Sequence, residues 1–166
     1  MNEEFTFFWH GPFSQWYMRD FIVKDVTYNC AEQYMMAHKA RLFGDDDMYA
    51  QIMTSSNPKD QKRLGRQVRN YREEIWGTYD GYARITVRDA NMAKFTQHTD
   101  LRAKLLGTTG TLVEASPYDK IWGIGLREDG PRALNRYTWL GTNWLGYILT
   151  EVRTRIGATN ANRYRI

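Results

Sequence analysis

Helix stop and start signals recur along this chain and cut most of it into short elements, and that spacing limits its fold more than any other feature. Gly44 closes one apolar-periodic stretch and Ser56-Asn57-Pro58 opens another, with a proline in its first turn. Gly107 closes a third, and Asn143 and Gly157 bracket the last. These signals predict helices from about Cys30 to Phe43, from Asp45–Asp47 to about Thr54, and from Pro58 to about Val68. Further helices are predicted from Asp80 to Gln97, from Asp100 to Leu106 and from Trp144 to Ile156, with a short one beginning at Pro131. Asn29 and Glu32 have the spacing of a capping box at the start of the first. Phe5–Trp9 is strand-like, and Phe21–Val23 and Val26–Tyr28 flank Lys24-Asp25 as a small hairpin. Thr111–Ala115 and Ile121–Gly125 are predicted strands. The expectation is an α+β fold, predominantly helical with a minor β-sheet or hairpin.

The 166 residues contain no repeat, low-complexity block or linker, which predicts a single domain over 1–166. Its core is expected over about 5–156, followed by a short basic tail, with arginines at Arg153, Arg155, Arg163 and Arg165. No apolar run reaches the ~18 residues of a membrane span. The acidic start Met1-Asn2-Glu3-Glu4 is a poor signal or transit peptide. Cys30 is the single cysteine, so no intrachain disulfide forms and the default compartment is the cytoplasm. His10, His38 and His98 have no ligand-like spacing with one another or with Cys30, so neither a metal nor a cofactor is expected.

Aromatic residues make up 14% of the chain, enough for a dense core or for a pocket that stacks on flat ligands. The net charge of +4 gives a mild attraction for phosphates or nucleic acid. Three segments carry chemistry. Glu32 and Lys39 are seven residues apart, so on a helix they differ by about 20° around the axis and about 10 Å along it. Their stripe also holds Met36 and Phe43, beside a core stripe of Ala31, Met35 and Leu42. Glu32 and Lys39 therefore either face a cavity at the margin of the core, or serve as a capping residue and a snorkelling lysine. In the second segment Glu114 and Asp119 bracket a Ser-Pro turn before Trp122-Gly123-Ile124-Gly125. Two carboxylates beside an aromatic wall suit glycosidic cleavage, where one stabilises an oxocarbenium ion and the other moves protons; a hairpin with a core tryptophan is the alternative. In the third, Gly141-Thr142-Asn143-Trp144-Leu145-Gly146 enters the last helix, offering either free N–H groups to an anion such as phosphate or simple capping.

Taken in order, Phe13-Ser14-Gln15-Trp16, Ala31-Glu32-Gln33-Tyr34 with Lys39-Ala40, Leu64-Gly65-Arg66, the run from Glu114 to Gly125, and Gly141 to Gly146 resemble the NADAR/YbiA-like superfamily. The resemblance spans about residues 5–156, and its strongest part is Ser-Pro-Tyr-Asp-x-Ile-Trp-Gly-x-Gly. It implies a YbiA-like fold and N-glycosidase activity. Two substrates follow from it: ADP-ribose on guanine bases of nucleic acid, which reverses a DarT-type toxin modification, or phosphoribosylamino-pyrimidine intermediates of riboflavin synthesis. By motif position it makes Glu32, Lys39, Glu114 and Asp119 catalytic. It makes Trp122, Gly123, Arg66, Asn143, Phe13 and Trp16 substrate-binding. Trp122 and Asp119 are expected to line the same pocket as Glu32. The family usually has Asn where this chain has Gln15, a longer amide. The basic charge favours a nucleic-acid substrate. A non-catalytic module binding ADP-ribose or a nucleotide is the competing class, though such a module gains little from three carboxylates.

Overall fold

The computed structural model describes residues 2–163, with side chains as far as Thr159, so Arg165 and the side chain of Arg163 lie outside the described residues. Four strands are present: β1 (Phe5–Phe8), β2 (Phe21–Val23), β3 (Val26–Tyr28) and β4 (Thr111–Glu114). The helices are α1 (Ala31–Leu42), α2 (Asp46–Thr54), α3 (Pro58–Gly65), α4 (Glu73–Trp76), α5 (Tyr82–Gln97), α6 (Thr99–Leu106) and α7 (Trp144–Arg163), with 3-10 turns at Pro131–Leu134 and Arg136–Thr138. Among the described residues no helix is long and apolar enough to cross a membrane. The chain forms two compact units, Gln15–Gln97 and, around it in sequence, Met1–Ser14 with His98–Ile166.

In the Gln15–Gln97 unit, β2 and β3 form the expected hairpin, with Phe21 opposite Tyr28. Lys24 and Asp25 both take positive φ, 50° and 65°, which two-residue hairpin turns require. Helix α1 packs on α2, α3 and α5. Its start differs from the expected capping box. Cys30 is the N-cap residue, and the N–H of Asn29 donates to Gln33 Oε1 at 2.8 Å, so the reciprocal acceptor is Gln33 rather than Glu32. The Asn29 side chain instead donates to the Ser55 carbonyl and accepts from Gln61. Gly44 ends α1 as expected, with φ 71°. Of the expected core stripe, Ala31 and Met35 are buried, but Leu42, the last residue of α1, is 40% exposed. Helix α4 was not expected.

In the other unit, β1 and β4 pair in parallel, Phe5 with Thr111 through Phe8 with Glu114. A small apolar core of Val113, Ala115, Ile124 and Ala133 packs with Phe5, Phe7, Leu126 and Trp139. Helix α7 packs on β4 and α6. Its side chains satisfy the strand edge that β1 does not cover: Thr150 Oγ1 accepts from Leu112 N–H, and Asn143 bonds both Leu112 and Glu114. A Cβ at Gly146 would overlap the Leu112 carbonyl, so only glycine permits this approach. Two expectations are corrected here. Helix α7 runs through Gly157 to Arg163, since a helix-interior glycine costs only about 1 kcal/mol relative to alanine. Ile121–Gly125 is not a strand but an irregular segment whose carbonyls are held by the 140–145 loop.

Candidate active site

On α1 the stripe identified in the sequence exists as built side-chain contacts. Glu32 is only 6% exposed, and its own N–H donates to the Gln15 carbonyl. The Gln15 amide oxygen accepts from Asn91 Nδ2 at 2.8 Å, so the longer amide reaches α5. Met36 lies against Gly65, where any Cβ would overlap the thioether. That close approach explains the Leu64-Gly65-Arg66 motif: glycine lets α3 seat on α1 and end at the exposed Arg66. Trp16 is also exposed.

Lys39 is half-buried, with Nζ 4.4 Å from the centroid of the Tyr71 ring. Phe43 meets the same ring edge-on at 5.5 Å. The Tyr71 hydroxyl donates to the Glu73 carboxylate, and burial with that carboxylate pushes the phenol up to about 12. Burial holds the Lys39 ammonium below the usual lysine range; Glu73 and Glu32 oppose that shift and Arg66 adds to it. Tyr71 and Glu73 carry no periodic signal in the sequence and were missed. So was Lys94, fully buried on α5 between the Tyr17 and Phe95 rings, whose burial lowers its pKa to about 7.

In the other unit, Glu114 ends β4 half-buried, with Oε2 withdrawn from solvent. Gly123 is packed so close that a Cβ there would meet the Glu114 and Asp119 carbonyls. Oδ1 of Asp119 accepts from the N–H groups of Ile121 and Trp122, at 2.9 and 2.8 Å, in an Asx turn that fixes the tryptophan. Trp122 is half-buried and meets Trp144 edge-on at 5.6 Å. Phe13 meets Phe8 in the same way at 5.7 Å.

The Gly-Thr-Asn loop does not offer free N–H groups to an anion. Thr142, Asn143, Trp144 and Leu145 donate theirs to the carbonyls of Lys120, Gly123, Ile121 and Trp122. Asn143 is fully buried, with φ 53°. Its side chain accepts from Glu114 N–H and donates to the Leu112 carbonyl, both at 3.0 Å, while its own carbonyl accepts the first helical bond, from Tyr147. It therefore positions Glu114. The loop is a backbone clamp on the tryptophan segment. Among the described residues no three His, Cys, Asp or Glu side chains gather as a metal-ligand set.

The architecture is an α+β fold, about half helical, with a buried carboxylate and a partly desolvated lysine on one helix stripe and a second carboxylate at a strand end. The chain belongs to the NADAR domain family, whose model matches residues 6–157. It is 43% identical over 147 residues to N-glycosidase R617 of Acanthamoeba polyphaga mimivirus, covering 85% of each chain. It is 32% identical over 148 residues to N-glycosidase YbiA of Escherichia coli K12, covering 89% of this chain and 82% of that one. The NMR structure of E. coli YbiA matches 97% of this chain and 89% of its own, with a TM-score of 0.75 and 28% identity. A maize riboflavin biosynthesis protein, PYRR, is 29% identical over 140 residues, 80% of this chain but 20% of that protein.

Proposed function

We propose that this chain is an N-glycosidase that removes ADP-ribose from guanine bases in nucleic acid, reversing a DarT-type modification. Its mimiviral and bacterial relatives are named N-glycosidases. The observation that carries the reading is Glu32. It is a buried carboxylate whose capping duty has passed to Gln33, on the same helix stripe as a lysine that burial makes easier to deprotonate. A module that only binds phosphate gains little from the buried carboxylate.

In the proposed reaction the bond between the sugar's anomeric carbon and the base nitrogen breaks, and its electron pair leaves on nitrogen. Glu32 is assigned the proton transfers, to the departing nitrogen and from the incoming water. Glu114 is assigned the stabilisation of positive charge on the sugar. Lys39 is assigned the attack on the anomeric carbon of the ring-opened sugar, where that carbon is double-bonded to the base nitrogen: the neutral amine adds, the base departs on nitrogen, and the incoming water hydrolyses the resulting lysine Schiff base to the free aldehyde. Trp122 supplies a flat wall for the base, with Gly123 admitting the close approach. Phe13, Trp16 and Arg66 contact substrate, and Asp119 and Asn143 act through Trp122 and Glu114. The net charge of +4 favours a polynucleotide.

Hydrolysis of phosphoribosylamino-pyrimidines is the second reading, favoured by the likeness to the maize riboflavin protein. The purified protein is incubated in parallel with ADP-ribosylated DNA and with a phosphoribosylamino-pyrimidine. Release of free ADP-ribose is the expected result. Cleavage of the pyrimidine alone moves the assignment to the second reading, and cleavage of neither refutes both.

A further inference from the structure

A cavity of about 500 Å³ opens in the unit that carries β1 and β4, outside the groups assigned to bond cleavage. Its walls include Phe8, Trp9 and Phe13, and its rim carries Arg127, Glu128 and Asp129. Trp9 is half-buried and stacks on His10 at 4.5 Å between centroids and 26° between planes. Tyr118, 87% exposed, leans on Trp9 at 5.8 Å. The exposed Arg127 guanidinium stands 6.0 Å from the Trp9 centroid. Tyr118 and the uncovered part of the Trp9 ring give up apolar burial unless something flat covers them.

We propose that this cavity is a stacking platform for a nucleobase flanking the reacting one, so that a single-stranded segment binds more tightly than a free nucleotide. The proposal rests on the reading that the reacting base is carried by nucleic acid. Three features select a base. Its flat π-face matches the indole, which every base can use without sequence choice. Two stacked layers at about 3.5 Å each need about 7 Å. The 6.0 Å between Trp9 and Arg127 therefore opens to a sandwich with a shift of roughly an ångström in an exposed side chain. Glu128 and Asp129 make the rim unsuitable for a phosphate, and Asp129 already draws Arg127 to 3.5 Å. The same carboxylates accept from the amino edge of adenine, guanine or cytosine. The backbone phosphates of the strand then stay in solvent.

The test measures the affinity of a short fluorescein-labelled oligodeoxyadenylate by anisotropy, alongside hydrolysis of ADP-ribosyl-guanosine, which carries no neighbouring nucleotide of a strand. Trp9→Ala is expected to weaken oligonucleotide binding about tenfold or more, as loss of one base–aromatic stack does. Trp9→Phe is expected to stay near wild type. Nucleoside hydrolysis is expected to be unchanged in both. Tyr118→Ala, at an exposed ring, gives a second reading of the platform that does not depend on Trp9 packing. Oligonucleotide affinity unchanged in Trp9→Ala and Tyr118→Ala overturns the platform even where the wild type hydrolyses the nucleoside. Affinity that depends on Trp9 without release of ADP-ribose from either the nucleoside or ADP-ribosylated DNA keeps the platform and removes the ADP-ribose reading.

Discussion

Asn143 is the position where a single side-chain deletion tests how the fold holds Glu114. Its amide oxygen accepts from Glu114 N–H and its amide nitrogen donates to the Leu112 carbonyl, both at 3.0 Å, in a fully buried site. Removing the side chain orphans one backbone donor and one acceptor, each at about 1–3 kcal/mol. Asn143→Gly is thus expected to cost about 2–6 kcal/mol while tolerating the φ of 53°. Asn143→Ala adds about 1 kcal/mol, because an alanine in the left-handed region crowds its own carbonyl. Taking about 2–4 °C per kcal/mol for a chain of this size, a loss near 3 kcal/mol lowers Tm by roughly 6–12 °C. Asn143→Asp keeps the acceptor for Glu114 but turns an oxygen towards the Leu112 carbonyl, so it is expected to fall between wild type and glycine. Urea titrations give the energies and thermal scans the Tm order. Glycosidase activity, measured below the lowest Tm, reports whether Glu114 has moved. A loss under about 1 kcal/mol in Asn143→Gly refutes the argument, since the two orphaned groups would then have found other partners.

Glu32→Gln, neutral and of the same shape in its buried site, is expected to fold normally and lose turnover by ~10²-fold or more; a folded variant with near-normal activity removes Glu32 from the mechanism. Borohydride added during turnover is expected to leave a reduced adduct on the Lys39 peptide. The Schiff-base role fails if no adduct forms while Lys39→Arg keeps most activity. Lys94, at about 7 folded against 10.5 free, is expected to make stability rise with pH from about 7 to about 9, because the unfolded chain binds the proton that the folded one has lost. Above pH 9 the Cys30 thiol, raised to about 11, opposes that rise; urea midpoints should slope upward in wild type and flatten in Lys94→Met, and a flat wild-type profile sinks the argument.

What the sequence revealed of the fold follows the range of the interactions that determine it. The β2–β3 hairpin is set by two residues between alternating apolar positions, and α3 by Asn57, which caps Lys59 N–H ahead of Pro58. Such signals act within a few residues and are visible in the chain. Ile121–Gly125 has the same local alternation as a strand, yet its carbonyls are claimed by donors about twenty residues away, and its glycines sit against backbone. Nothing within the segment records those partners. Helix α4, Tyr71 and Glu73 fall in a polar stretch where no apolar period marks an element, so only the contact with Lys39 on α1 gives them meaning.

The same distinction sorts the candidate site residues. Glu32 and Lys39 were legible because helical geometry fixes their separation whatever the helix packs against. Whether that stripe was solvated or chemical was not legible. It depends on Gly65 admitting Met36 and on Tyr71 covering Lys39, both contacts made across sequence. The polar residues at Asp119 and Asn143 show the opposite case. Their types suit a ligand, but Asp119 is drawn to N–H groups of an irregular segment and Asn143 to the open edge of β4. Some of the polar side chains that suit a ligand from sequence therefore also hold the loops and the strand edge in place, since a buried backbone donor left without a ladder partner must find a side chain.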